Sequence, residues 1–529
     1  MAQPQQNISL TAPGFAGLNT QDSPLDMDIQ FASKADNCTI DRFGRIASRR
    51  GFNYLTTNPA LLEGNPVKAM HEFVTADAQK WLFVCGNNKV FIQQRINPFE
   101  LVELTLPTVP TDDSWQIVTF NDKCYFVQSN HQPLVFDPAT PTELRLWAEY
   151  PVVTAGNAWP NAAHAAFGRL WIGALDGAST TVAWSGILNG ENWSSLGEGS
   201  LETEEYWPSG FDEITSMTAH NNFMVFFGKT NILLYQTTSD VLSTLRLADT
   251  VEGLGCIARD SIIPTGQDIM FIDATGVRSL NRTIQEKSIP IGDISKNVRV
   301  EFQMALRNEQ NQNDIKAVFH VEDSFYVCFL PSNIESYVFD TWSPLPDGAA
   351  RCTKWNQSQP RCGVRTIDRQ TYFGGNGGVY TYEGASDFFI DEDNGDAVVN
   401  DSIPMAYFTH PLDFGSAAHL IFPKQVDVTL FGGLEGDLTL NWAYDYKENF
   451  AIKTLPLQRL GKVGFWNTDA QWGTGNTIEW TATLDNLNQL KYNIWGSGRN
   501  VKVGFTTDIL GSDVSVQELN IQVLQGRLL

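Results

Sequence analysis

Short, continuous apolar runs recur along the first three quarters of the chain, each introduced by a polar turn. They are WLFVC, CYFV, LWIG, MVFFG, IMFID, FYVCFL and TYFGG, beginning at residues 81, 124, 170, 224, 269, 325 and 371. Successive starts lie 43, 46, 54, 45, 56 and 46 residues apart, close to the period of roughly 40–50 residues that a four-stranded propeller blade requires. The turns before them (FNDKCYFV, AFGRLWIG, AHNNFMVFF, VEDSFYVCF) and after them (FVCGNNKVFIQQ, FFGKTNILLYQ, FGGNGGVYTYE) are rich in Gly, Asn and Asp. These residues tolerate the positive φ of tight hairpins. A run that is apolar on both faces suits an inner strand covered from both sides by neighbouring sheets. The pattern therefore predicts an all-β protein whose residues 61–386 form a β-propeller. Seven units are counted, and the count is compatible with six to eight blades.

Beyond this region the pattern changes. Residues 387–402 (DFFIDEDNGDAVVNDS) are acidic and read as a linker or exposed loop. Residues 403–529 alternate apolar and polar positions in KQVDVTLFGG, DLTLNWAYDY, NVKVGFTTDI and SVQELNIQVLQ, which predicts a C-terminal β-sandwich or jelly roll. Residues 1–60 read as a polar docking arm followed by a short helix near 29–37, a turn and a first strand. A second helix is expected at 295–307, where apolar residues recur near helical spacing.

Composition agrees with many short strands: aromatic residues make up 12%, with 42 Gly and 24 Pro in 529 residues. The seven cysteines are odd in number, form no CxxC pair, and lie mostly inside apolar strands. They read as buried thiols folded in a reducing cytoplasm. No secretory leader and no apolar stretch of membrane-spanning length is evident. Sixty acidic against 36 basic residues give a net charge of −24. That balance excludes a protein that grips nucleic acid by neutralising phosphates, but fits a wall past which nucleic acid slides.

Catalytic motifs are scarce. The seven histidines are scattered, and no HExxH, zinc-spaced Cys/His set, G-x-S-x-G elbow or P-loop occurs. His410 and His419 read as ordinary surface imidazoles. Asp391, Asp393 and Asp396, followed or flanked by Gly395, mimic the start of a calcium loop, but position twelve falls on Ser402 and not on a glutamate. The better reading there is a solvated loop, with no metal and no cofactor. Adjacent carboxylates at Glu202, Glu204 and Glu205, or at Asp112 and Asp113, are the pairs a propeller glycosidase could use. Trp147, Trp159 and Trp193 are the rings a carbohydrate-binding or adhesin propeller could stack on sugars, although such residues more often anchor cores.

Two stretches carry a family likeness. PGFAGLNTQDSPLDMDIQFASKADNCTIDRFGRIASRRGF (13–52) resembles the N-terminal signature of the tail nozzle, or tail tubular (packaged-DNA stabilisation), proteins of short-tailed bacteriophages. IWGSGRNVKVGFTTDI (494–509) followed by ELNIQVLQGRLL (518–529) is similar to the C-terminal region of the same group. The resemblance implies a non-enzymatic virion structural protein, made in the host cytoplasm. It further implies a homohexameric ring below the portal and the tail adaptor ring, contacts with tail fibres or spikes, and passage of the phage genomic DNA without sequence-specific binding. The basic residues Arg45, Arg49 and Arg50, with Arg499 and Arg527, are the candidate contacts to carboxylates on a neighbouring subunit or adaptor. The alternatives are the adhesin and, behind it, the glycosidase.

Overall fold

The computed structural model describes residues 5–457 and 487–528, apart from 25, 95–98, 111, 148–158, 194–197, 239, 267, 287–292, 357–359, 392–396, 416–418 and 434–435. Seven small antiparallel sheets follow one another between residues 69 and 382. Each apolar run of the sequence repeat is the second strand of its sheet: Lys80–Gly86, Lys123–Gln128, Arg169–Leu175, Phe223–Gly228, Ile269–Asp273, Phe325–Leu330 and Thr371–Gly375. Phe325–Leu330 and Thr371–Gly375 are buried at every position. The reason is that alternate side chains enter two different cores. Phe83 packs with Phe126 and Phe136 of the next sheet, while Leu82 and Val84 pack with Tyr372 and Val379 of the last.

Such two-sided packing repeats around the set. Separate cores join sheets one and two, two and three, three and four, four and five, five and six, six and seven, and seven and one. The sheets therefore close into a seven-bladed propeller, with the first strand of each blade nearest the axis. Tight turns such as Asn87-Asn88 and Asn121-Asp122, with positive φ at both residues, connect first to second or second to third strands, as two-residue hairpins demand.

Closure comes from the N-terminal region. Phe52–Tyr54 pairs antiparallel with Gly378–Tyr382 and supplies the fourth strand of blade seven. Phe52 is fully buried against Trp355, Phe373 and Tyr382. A Cβ on Gly51 would come within 1.8 Å of the Ser386 carbonyl oxygen, so no side chain fits where the chain enters the blade. Blade five is short, with three strands followed by the helix Leu280–Glu286.

Apart from the hairpin Asp387–Asp391 and Ala397–Asp401, the remaining strands form a β-sandwich built from both ends of the chain. One layer contains Leu487–Asn493, His419–Gly432, Val514–Leu528, Ile46–Ser48 and Cys38–Ile40, with Gln5–Thr11 also paired to Val514–Leu528. The other contains Phe31–Asp36, Ile403–Thr409, Val501–Ile509, Asp437–Tyr444 and Ala451–Pro456. This second layer runs through Gly17–Leu18 into Arg351–Asn356 of blade six, giving one ten-stranded sheet shared by sandwich and propeller. Gly17, at φ +81°, sits so close to Cys352 that a Cβ would lie 2.5 Å from its carbonyl oxygen. The helix Arg299–Asn308 buries Phe302, Ala305 and Leu306 in the core common to both parts.

Three expectations are thereby corrected. Residues 1–60 are no separate docking arm, because their strands are members of the sandwich and of blade seven; residues 29–37 hold the strand Phe31–Asp36 instead of a helix. The sandwich is not confined to 403–529, since four of its strands precede residue 49. Residues 387–402 are no open linker but contain the paired strands Asp387–Asp391 and Ala397–Asp401. In the first two cases long-range strand pairing, which leaves no periodic mark in the sequence, decides the outcome; in the third a local hairpin does. The helix expected at 295–307 is present as Arg299–Asn308, preceded by a 3-10 turn at Lys296–Val298. All seven cysteines are buried and unpaired.

Candidate functional site

The axis of the propeller is a tunnel of about 340 Å³ lined by first strands, with Met70, Ile117, His164, Met217, Ile263 and Lys316 among the residues facing it. At the end where these strands begin, charged side chains from several blades meet. Arg259 donates from Nη2 to the Ser114 carbonyl oxygen (2.7 Å), and from Nη1 to the Asn161 carbonyl oxygen (2.8 Å) and Oδ1 (2.6 Å). It also grips Asp260 through Nε (3.0 Å) and Nη2 (2.7 Å), and Lys316 completes an ion pair with the same carboxylate. Burial alone would raise the Asp260 pKa, but Arg259 and Lys316 outweigh it and hold the carboxyl at about 2. Alongside, Lys68 binds Asp112 at 2.8 Å and Ser114 Oγ donates to Asp314 at 2.7 Å.

These contacts connect blades one, two, three, five and six across the axis. Almost all of these charged groups are paired, and the contacts tie the blades together where their first strands begin. Sequence reading missed the set because the members are single residues scattered from 68 to 316. Their common signal is position: each stands at, or just before, the first strand of a blade. Within the tunnel wall His164 accepts from Ala219 N at 3.2 Å, and burial holds its imidazole neutral, at about 4.

The arginine candidates separate. Arg49 is 1% exposed and makes a bidentate pair with Asp387, at 2.8 and 2.6 Å. Its Nε donates to Asn37 Oδ1 at 3.1 Å. Arg50 pairs with Glu322 (3.1 Å) and Asp323 (3.0 Å) of blade six. Both therefore meet carboxylates of their own chain, and for buried Arg49 this replaces the expected contact to a neighbour. Arg45 is half-buried with its guanidinium over the Phe43 and Phe431 rings. Arg499 is exposed, and the side chain of Arg527 lies outside the described residues.

The carboxylate pairs do not assemble into opposed acids. Glu202 accepts from Thr181 Oγ1 at 2.6 Å, Glu204 and Glu205 are exposed on a single 3-10 turn, and Asp112 is tied to Lys68. Burial pushes the neighbouring Asp113 carboxyl up to about 6. Trp147 is fully buried, and Trp193 packs on it with ring centroids 5.6 Å apart. Trp159 is half-buried beside the start of blade three. Asp391 ends a strand, while Asp393 and Asp396 lie outside the described residues. Among the described residues no group of three or more His, Cys, Asp or Glu is placed to hold a metal ion.

The fold defines the class: an all-β protein in which a seven-bladed propeller and a sandwich share a sheet. No protein-family model matches the chain, and no curated protein matches it. Among solved structures it is similar to a chain of the "Crystal Structure of Mitotic Checkpoint Complex", with 8% identity, a TM-score of 0.35, and coverage of 57% of this chain and 86% of that one.

Proposed function

We propose that this chain is the subunit of a tail nozzle of a short-tailed bacteriophage, a ring-forming conduit and not an enzyme. One observation carries the reading. The N-terminal stretch with the family likeness, 13–52, and the C-terminal one, 494–509 with 518–529, lie more than 400 residues apart, yet they fold together. Phe31–Asp36 and Val501–Ile509 flank the same strand, Ile403–Thr409, and Ile46–Ser48 pairs with Ser515 and Val516 at the start of the strand that goes on to carry the second C-terminal piece. The likeness thus follows one structural unit instead of two unrelated patches. The axial space of about 340 Å³ is too small for a DNA duplex, so in this reading DNA passes between subunits around a ring, not through a single propeller. In that ring Arg499 and Arg45 remain the candidate contacts to acidic groups on an adaptor or neighbour.

The purified chain, imaged by electron microscopy alone and with the adaptor ring, is expected to give six-fold rings with an open bore. A monodisperse monomer in both conditions, at concentrations well above those of assembly, overturns the proposal.

A further inference from the structure

Beside the strand Gln5–Thr11 lies an open pocket of about 420 Å³, away from the propeller axis. Its walls are Gln6, Asn7 and Ile8 of that strand, Met27 and Ile29, and the loop 410–415. Met27, Leu412 and Phe414 form an apolar floor, each at most 9% exposed. Two buried acceptors in this wall have no donor: Gln6 Oε1 and His410 Nδ1. His410, read from sequence as a surface imidazole, is only 5% exposed. Burial lowers its pKa, against the opposing influence of a hydrogen bond to the Phe31 backbone and of Asp28 and Asp413. The ring is therefore neutral near pH 7, with Nδ1 an acceptor. An unsatisfied buried acceptor is costly, and here two belong to residues lining one cavity, with Asp413 in the same lining and Asp28 acting on His410.

The strand that forms the wall pairs with Val514–Leu528 on one side, and no other described strand pairs with its outer edge. An open edge takes up an extended peptide by main-chain hydrogen bonding, while an adjacent pocket selects a side chain. We propose that this pocket and strand edge form a docking site for an extended segment of a partner protein carrying an arginine or lysine side chain. The cationic group donates to Gln6 Oε1 and His410 Nδ1 and is balanced by Asp28 and Asp413, and its aliphatic stem lies over Leu412 and Phe414.

The test is fluorescence anisotropy of the full chain with a labelled strand-forming pentapeptide, Thr-Leu-Arg-Leu-Thr, and its citrulline counterpart. Saturable binding is expected, with the citrulline peptide at least tenfold weaker. His410→Phe, which keeps ring volume and removes the acceptor, should weaken binding about tenfold; the exposed change Asp28→Lys should weaken it and flatten its salt dependence. Hydrogen exchange of the same complex should slow at 5–11. The proposal is overturned by equal binding of both peptides, by binding indifferent to both variants, or by no binding at millimolar peptide. It is also overturned if 5–11 is already protected, without peptide, in a concentration-dependent way, since a second copy then fills the edge.

Discussion

Arg49 and Asp387 are 338 positions apart, and their pairing shows what a single buried contact does in this fold. Asp387 also accepts from the Phe52 amide at 3.0 Å, so one carboxylate holds the arginine and the strand that closes the propeller. Removing one partner strands a buried charge, which typically costs about 3–5 kcal/mol. Arg49→Met should therefore destabilise the chain by about that amount in chemical denaturation, while the double change Arg49→Met with Asp387→Leu should recover most of the loss. Asp113 gives a second, pH-dependent case. Burial holds its carboxyl at about 6, and one oxygen has no partner. An unfolded aspartate titrates at ~3.9, so the charged form is penalised in the fold by about 2–3 kcal/mol above pH 6, and the penalty is lost as pH falls from about 6 to ~3.9. Asp113→Asn should stabilise at pH 8 by up to that amount and give no gain at pH 3.5. A gain independent of pH would refute the assignment of the cost to ionisation.

At the scale of strands, legibility followed burial. The second strand of every blade could be read directly, because being covered on both faces forces a continuous apolar run. The last strands could not, since Val102–Glu103 is exposed at both positions and Gly199–Glu202 alternates between half-buried and exposed. The three-residue strands Cys38–Ile40, Ile46–Ser48 and Phe52–Tyr54 are too short to show any period, and their partners stand up to hundreds of residues away. The basic cluster at Arg45–Arg50 was visible as charge, but its acidic partners in blade six and at Asp387 were not. The strand Phe52–Tyr54 makes the consequence measurable. Phe52→Ala leaves a cavity among Trp355, Phe373 and Tyr382, and such truncations cost about 3–5 kcal/mol. Because sandwich and propeller share a sheet and a core, the loss should appear as one cooperative transition at lower denaturant, seen alike by tryptophan fluorescence and by far-ultraviolet circular dichroism. Two separated transitions would mean that the shared sheet does not couple the halves.

For the molecule as a whole, charge and shape bear on the same question. Basic residues are the minority, and many are already engaged within the chain: Arg49, Lys68, Lys123, Arg259 and Lys316 all sit in ion pairs. The excess of 24 negative charges is left largely uncompensated. A ring of such chains would present DNA with a like-charged wall, in which affinity for phosphate would hinder passage and repulsion at short range would favour sliding. The repulsion is strongest at low ionic strength, because the field of a charge reaches about 30 Å at 0.01 M salt before it is screened. Under those conditions, which favour any protein that neutralises phosphates, the purified chain should leave duplex DNA unretarded in a gel and should show no anisotropy change with labelled DNA. Tight binding that weakens steeply with added salt would reveal a basic surface created by assembly or by a local cluster, and would count against the like-charged wall of the proposed conduit.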